Sequence, residues 1–468
     1  MERRFEIRLE ELMNECEVPE AVFDDVEGRL REFVEPFAVL LCRREQGEHA
    51  QAYVAGLLSQ LQEKNVESIA YFHDQDRWNL PHFLGSSPWD HRPLVDELAR
   101  QVGETLGEAD GVLVFDPSGY KKSGQDSIGV DRQWLGRFGK VDNGQVGIYL
   151  AYVSRQEHAL VDVRLYLPQS WSENAARRKK CGVPREVRFR SRQQLALEML
   201  AQRGPQLPHA WIAGDEEMGR STRFRRDLRE LNQQYLLGVP SNTVVRDLQK
   251  EPPPWRGSGS KPKRPFEQAR EWTRSLPRRA WTRIDVRDGQ RGPLVMEIVK
   301  RRVQAKTDTK RIGPEELLVV TRRREQGKWL YDYYLSNAPA ATPLAELARV
   351  AKAEHRVEEC IQRAKSETGL ADYEVRNWLG WHHHQTMGLM ATWFLVQEAR
   401  REKKYTPAIT LQQVRQALAR LLSFTGGCYT PSYNRRETRR RLRRTAKARL
   451  YHWRECNRLA PLHIHQRR

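Results

Sequence analysis

Gly111-Val-Leu-Val-Phe-Asp116-Pro-Ser-Gly-Tyr-Lys-Lys-Ser-Gly124 is an apolar run that meets an Asp and then Pro, Ser and Gly. Such a run is how a buried strand delivers a carboxylate into an open site. An Asp-Pro-Ser-Gly on its own also reads as a strand-terminal turn, so the weight on Asp116 comes from the sequence around it.

Outward from this strand, Arg132 to Lys140 reads as a polar connection and Asn143-Gly144 as a tight turn. Two strand-like runs follow, Val146–Val153 and Ala159–Leu167, completing an antiparallel meander. A basic segment, Trp171 to Val183 with Arg177, Arg178, Lys179 and Lys180, either touches phosphates or is solvated. A helix over Ser191–Arg203 leads to Ala210-Trp-Ile-Ala-Gly-Asp215, a second apolar run ending in an acid. Another helix, Ser221–Gln234, precedes a fifth strand, Tyr235–Pro240. Three strands, helix, strand, helix, strand is the order of the ribonuclease H-like fold, in which the first and fourth strands are neighbours. That adjacency brings Asp116 and Asp215 together.

With 468 residues, 39% of them hydrophobic, the chain calls for two or three domains with real cores. Its 80 Lys and Arg against 61 Asp and Glu leave a net charge of +19, for which nucleic acid is the leading partner. No apolar stretch is long enough to span a bilayer and the N-terminus lacks a signal-peptide core, so a soluble, cytoplasmic protein with no membrane partner is expected. The six cysteines form no C-x-x-C pair and read as reduced thiols.

Residues 1–106 show helical spacing, including Leu9, Leu12, Met13, Phe33, Phe37 and Leu57. This helical domain either reads DNA ends, dimerises or covers the core. Residues 107–248 carry the strands above, and 249–340 open with the Pro-, Gly- and Ser-rich basic connector Pro252–Pro265. Four strand-like runs then begin at Trp281, Leu294, Glu316 and Trp329, an all-β insertion. Residues 341–402 are helical, with Trp378, Trp381, Met387, Met390, Trp393 and Phe394 as core. His382, His383 and His384 also read as core, because consecutive helical residues point about 100° apart. Residues 403–468 form a basic tail, densest from Asn434, that is either an arm along DNA or a disordered end.

The helix beginning near Pro343 places Glu354, Glu358 and Lys365 on one face. With this third acid, the chain resembles the DDE superfamily endonucleases, transposases of bacterial insertion sequences, in the branch with a β insertion before the Glu. The resemblance rests on Phe115–Gly124, Ser127–Trp134, Gly139–Gly147, Trp211–Asp215, Tyr235–Pro240, and Arg356-Val-Glu358-Glu359 through Lys365 to Trp381. It covers about residues 80–400.

The resemblance implies an α/β fold: a ribonuclease H-like catalytic core with an all-β insertion, flanked by helical N-terminal and C-terminal regions. It implies that Asp116, Asp215 and Glu358 hold two Mg²⁺ ions, with Mn²⁺ as a substitute, Asp116 bridging them. Lys121, Lys122, Arg356 and Lys365 would contact DNA, and Trp329 or Trp281 would manage a flipped base. The implied reaction is cleavage at terminal inverted repeats and strand transfer into target double-stranded DNA by a homodimer in the bacterial nucleoid. The chain departs from relatives with a Tyr-x-x-Arg-x-x-x-Glu-x6-Lys helix, having Ala351 and Glu354 at the first two positions. A catalytically silent DNA-binding relative and an RNA-binding scaffold are the competing readings.

Overall fold

The computed structural model describes residues 25–73, 78–136, 139–255, 257, 260–289, 292–325, 327–403 and 411–421. The periodicity around Leu9–Met13 and the basic tail from Asn434 lie outside the described residues. Elements are numbered in chain order.

Ahead of the sheet come helices α1 (Val26–Ala38), α2 (Arg44–Leu58), α3 (Val66–Phe72), α4 (Asn79–Gly85) and α5 (Arg92–Leu106). Asn65 caps α3 by accepting from the Ser68 N–H at 2.8 Å. The stripes Leu30-Phe33-Val34-Phe37 on α1 and Leu94-Leu98-Val102 on α5 are buried, as their spacing requires.

These helices close around α13 (Trp378–Lys403), which is buried on all sides over residues 380–396. Arg29 of α1 grips Glu398 of α13 at 2.9 and 2.7 Å. His383 stacks on Trp89 with ring centroids 3.5 Å apart, and Tyr53 bonds His384 at 2.9 Å. Burial pushes His382 down to about 3 and both His383 and His384 down to about 4, so all three are neutral core residues at neutral pH.

The sheet's first half comprises β1 (Val112–Lys121), β2 (Asp131–Leu135), β3 (Lys140–Val153), β4 (His158–Tyr166), β5 (Trp211–Gly214) and β6 (Tyr235–Gly238). Their order is β4-β3-β1-β5-β6; β1 runs antiparallel to β3 and parallel to β5, and β2 pairs with the start of β3. The segment expected as a polar connection therefore contains a strand, β2. Asn143-Gly144 lies inside β3, not at a turn. Asn143 spends its amide on the carbonyls of Lys122 (2.7 Å) and Gly124 (2.9 Å), and Gly144 allows the close approach of the Tyr120 carbonyl.

Between β4 and β5 lie α6 (Gln169–Ser172), α7 (Ala175–Lys180) and α8 (Arg192–Arg203). The basic residues of α7 brace the loop after β1: Arg177 donates to the carbonyls of Gln125 (3.0 Å) and Val130 (3.1 Å), and Lys180 pairs with Asp126 at 2.8 Å. Between β5 and β6 lie α9 (Glu216–Arg220) and α10 (Thr222–Glu230).

The segment expected to be an insertion supplies β7 (Val244–Asp247), β8 (Glu267–Gln268), β9 (Thr282–Gly289), β10 (Gly292–Lys306), β11 (Ile312–Glu325) and β12 (Lys328–Ser336). It continues the same sheet, because β12 pairs antiparallel with β6 through Tyr334↔Gly238. Nor is it all-β. Helix α11 (Ala269–Arg274) sinks Trp272 into a second, smaller core with Val299, Leu318, Val320 and Leu335, and the Trp272 indole donates to Asp247 at 2.9 Å. The chain then returns as α12 (Leu344–Glu367), which packs across β1 and β5, and α14 (Leu411–Leu421) packs beside α13.

Candidate active site

Asp116 lies mid-strand, not at a strand end. β1 keeps pairing with β3 as far as Lys121, with Asp116 opposite Tyr149, while its parallel pairing with β5 stops at Phe115↔Gly214. The next residues on the two strands are Asp116 and Asp215, so the chain opens a cleft where two neighbouring backbones present acids. Parallel neighbours are about 4.8 Å apart.

Asp215 caps α9, its carboxylate accepting the Met218 N–H at 3.1 Å. Glycines make this corner possible: a Cβ on Gly238 would lie 3.0 Å from the Asp215 carbonyl carbon and 3.0 Å from the Glu216 nitrogen.

Electrostatics ties the site together. Desolvation first, then the charges of Asp215 and Glu358, hold the Asp116 carboxyl well above the usual range, with Lys365 pulling the other way. Asp215 is pushed up to about 7, by desolvation and by Glu217, against the lowering pull of the Met218 N–H. Glu217 itself is paired with Arg192 at 2.6 Å.

Helix α12 supplies the opposite wall. Its buried side, Leu347, Val350, Ala351, Val357, Ile361 and Ala364, faces the sheet, and Glu354, Glu358 and Lys365 fall on that same side by the i, i+4, i+11 spacing. Glu358 stands at the mouth, its side chain 59% exposed and 3.5 Å from His355. Lys365 reaches back to β1, donating to Ser118 Oγ (2.9 Å) and the Gly119 carbonyl (3.1 Å) with its ammonium 4.1 Å from the Tyr120 ring centre. Glu354 is partly buried, and its carboxyl is held well above the usual range by desolvation, then by Asp215, Glu358 and Asp116.

The other candidate contacts are dispersed. Lys121 is exposed and pairs with Asp142 at 3.5 Å, on the strand leaving Asp116. Lys122 sits 3.7 Å above the Tyr373 ring, and its desolvation lowers it to about 8. Arg356 points the other way from Glu358 and donates to the Ser154 carbonyl at 3.2 Å, so the structure does not bring it to the cleft. Trp329 lies on β12, 41% exposed. The Arg322 guanidinium is held between Trp281 (4.0 Å) and Trp329 (4.4 Å). From that side Asp332 binds Arg323 at 3.0 Å, and Arg323 approaches His355 at 3.5 Å.

Among the described residues no three His, Cys, Asp or Glu side chains converge tightly enough to hold one metal ion. The chemistry of the donor set nonetheless fits a hard divalent cation. Carboxylates that are desolvated and mutually repelling are relieved by a cation, and oxygen donors suit Mg²⁺ or Mn²⁺. The Ser118–Lys365 bond joins residues far apart in the chain and carries no local sequence signal, whereas the helical spacing already puts Glu354 on the face of Glu358 and Lys365.

Among the described residues no helix is long and apolar enough to cross a membrane. The profile of a family described as DDE superfamily endonuclease matches residues 36–293, more than half of the chain. A protein of Microchaete diplosiphon named as a probable transposase for insertion sequence element IS701 is 27% identical over 201 residues, 42% of this chain and 50% of that relative. The chain thus matches about half the length of that relative.

Proposed function

The chain belongs to the DDE superfamily endonucleases, and from that premise we propose that it is the transposase of a bacterial insertion sequence. On this reading it cuts DNA at the terminal inverted repeats and joins the freed 3′-hydroxyl to target DNA, acting as a homodimer in the nucleoid. The carrying observation is the meeting of β1 and β5, where Asp116 and Asp215 open a cleft roofed by the helix bearing Glu358 and Lys365. The strand order β4-β3-β1-β5-β6, with helices between the fourth and sixth strands, supports a ribonuclease H-like core interrupted by the insertion.

Asp116, Asp215 and Glu358 would hold the divalent ions. When bound, those ions would supply charge neutralisation at the phosphate and a lowered pKa for attacking water. The chain's own part is positioning. The Met218 N–H fixes the Asp215 carboxylate, and Ser118 and the Gly119 carbonyl hold the Lys365 ammonium beside Asp116 as a contact for a DNA phosphate. In cleavage a water oxygen bonds to phosphorus as the bond to the 3′-oxygen breaks, and the leaving oxygen takes up a proton. In joining, the 3′-hydroxyl oxygen replaces water as the attacking group. The Trp281–Arg322–Trp329 stack is a platform for an unpaired base, with Lys121 flanking the cleft.

The test is Mg²⁺-dependent nicking of duplex carrying the element end. Asp116→Asn is expected to lower the rate at least about 10³-fold while leaving DNA binding within twofold. Equal nicking by wild type and variant refutes the site. Binding without nicking by the wild type identifies a silent relative instead.

A further inference from the structure

Two lysines near the cleft rest on aromatic rings, and the two rings belong to one buried cluster. The Lys365 ammonium stands 4.1 Å from the Tyr120 ring centre, and the Lys122 ammonium 3.7 Å from that of Tyr373. Tyr120 and Tyr373 themselves meet edge to face, with centroids 5.7 Å apart. Both rings are buried and tied at the hydroxyl. Tyr120 shares a hydrogen bond with Tyr149, whose own hydroxyl donates to Gln385 of α13 at 2.8 Å. Tyr373 donates to Gln145 of β3 at 2.7 Å and accepts the Trp381 indole N–H at 3.3 Å. The backbone gives the cluster a direction. Asp116, Ser118, Tyr120 and Lys122 alternate along the chain with Pro117, Gly119 and Lys121, so they share one face of β1 at about 6.6 Å per step. Lys122 continues the ladder, its N–H donating to the Asn143 carbonyl at 3.1 Å. Lys365, bonded to Ser118 and the Gly119 carbonyl, brings its ammonium between Asp116 and Lys122 on that line.

A tyrosine face attracts an ammonium through its quadrupole yet carries no net charge. A lysine seated on a ring therefore keeps its whole positive charge for an incoming anion. Lys121, one residue along and on the other face of β1, instead shares the Asp142 carboxylate with Lys140. Seating also removes the freedom of a long side chain before DNA arrives, so less is lost on binding. Both seated lysines stay partly exposed and can meet a ligand without leaving their rings. We propose that Tyr120 and Tyr373 are positioning residues: the ring pair seats Lys365 and Lys122 so that their ammoniums take neighbouring phosphates of one DNA strand leaving the cleft along β1. The assignment rests on the nuclease reading above. It adds a direction to it, from Asp116 outwards past Ser118 and Tyr120 to Lys122.

Binding of the whole protein to duplex carrying the element end, in EDTA, is followed by fluorescence anisotropy between about 50 and 200 mM salt. Each lost phosphate contact lowers the slope of log K against log salt by about 0.9. Lys122→Gln and Tyr373→Leu are each expected to lower it by that amount, and the double variant by no more than either alone, because both remove one contact. Lys365→Gln and Tyr120→Leu are expected to form a second such pair. Additive effects within the pairs overturn the proposal. So do leucine variants that bind with a smaller active fraction and the wild-type slope, the signature of a merely structural role. Tyr373→Phe keeps the ring and should keep the wild-type slope; a slope lowered as in Tyr373→Leu assigns the effect to the hydroxyl and overturns the seat. Should leucine unfold the core, mono-, di- and trifluorinated phenylalanine at position 373 test ring electrostatics at nearly constant shape. Compared with phenylalanine they are expected to weaken DNA binding stepwise, about 2–5-fold in all, and a flat or rising series overturns the proposal. Wild-type binding that ignores salt overturns the DNA-acting reading beneath it, whereas wild-type salt dependence left unchanged in all four single variants overturns the seat alone.

Discussion

Asp215→Asn is expected to inactivate the protein and to stabilise it. In the metal-free fold the Asp215 carboxyl titrates near 7 against an ordinary 3.8, because it is desolvated among acids. Between those two pH values the folded chain binds more protons than the unfolded one, so stability falls as pH rises, and the loss is complete above about 7. The shift corresponds to roughly 4 kcal/mol, which the partial exposure of the side chain discounts to about 1–2 kcal/mol. Asn has the same shape, carries no charge and caps a helix as well as Asp, so the bond from the Met218 N–H survives. For a chain of this length, thermal unfolding in EDTA at pH 8 should rise by about 1–3 °C. At pH 5.5 the gain should shrink by about half, since the wild-type acid is then mostly protonated when folded. A variant no more stable than wild type at pH 8, or a gain independent of pH, would refute the electrostatic account of the cleft.

Two further outcomes follow from the same structure. Thermal stabilisation of the wild type by added Mg²⁺ is expected to grow from pH 6 to pH 8, because proton and cation compete for Asp215; apparent affinity should fall about tenfold per pH unit below about 7, and a flat profile would count against that competition. Gly369→Ala is expected to cost about 2–4 kcal/mol in urea unfolding: Gly369 has φ +61° and its Cβ would lie 2.5 Å from the Lys64 Cβ, where the Lys64 ammonium ties α2 to the end of α12 through the Leu57 and Glu367 carbonyls. An unchanged unfolding midpoint would sink that reading.

The legible parts of this molecule are those written in local patterns. Apolar runs meeting acids mark β1 and β5, and the helical spacing of Glu358 and Lys365 marks one wall of the cleft. Element order led to the adjacency of β1 and β5, but not to β2 or to the continuation of the sheet through β12. Pairing partners were harder, since period-two alternation does not say what lies alongside. The extension of β1 through Pro117 is invisible locally, because it depends on β3 being long enough to pair with it. Asn143-Gly144 has the composition of a hairpin turn, yet its glycine is required by a neighbouring carbonyl in space. The exposure of Trp329 depends on which face of β12 the sheet leaves uncovered, which no local pattern states.

The segment between β6 and α12 shows how a long excursion of the chain need not disturb the elements on either side of it. The chain leaves the first half of the sheet at Gly238 and returns along β12, where Tyr334 pairs with that same glycine and Ser336 with Leu236. Entry and exit are therefore one strand spacing apart, and a long excursion closed at its ends carries an entropic cost that grows only logarithmically with its length. The return is pinned beyond the ladder: the Asn337 amide donates to the Gln233 carbonyl at 2.8 Å while its oxygen accepts the Tyr235 N–H at 2.8 Å. Only a short connection separates this anchor from Leu344, where α12 begins. The placement of Glu354, Glu358 and Lys365 is thus referred, through β12 and β6, to the strand that carries Asp215. Arg323 of β11, paired with Asp332 of β12 at 3.0 Å, approaches His355 on that helix at 3.5 Å.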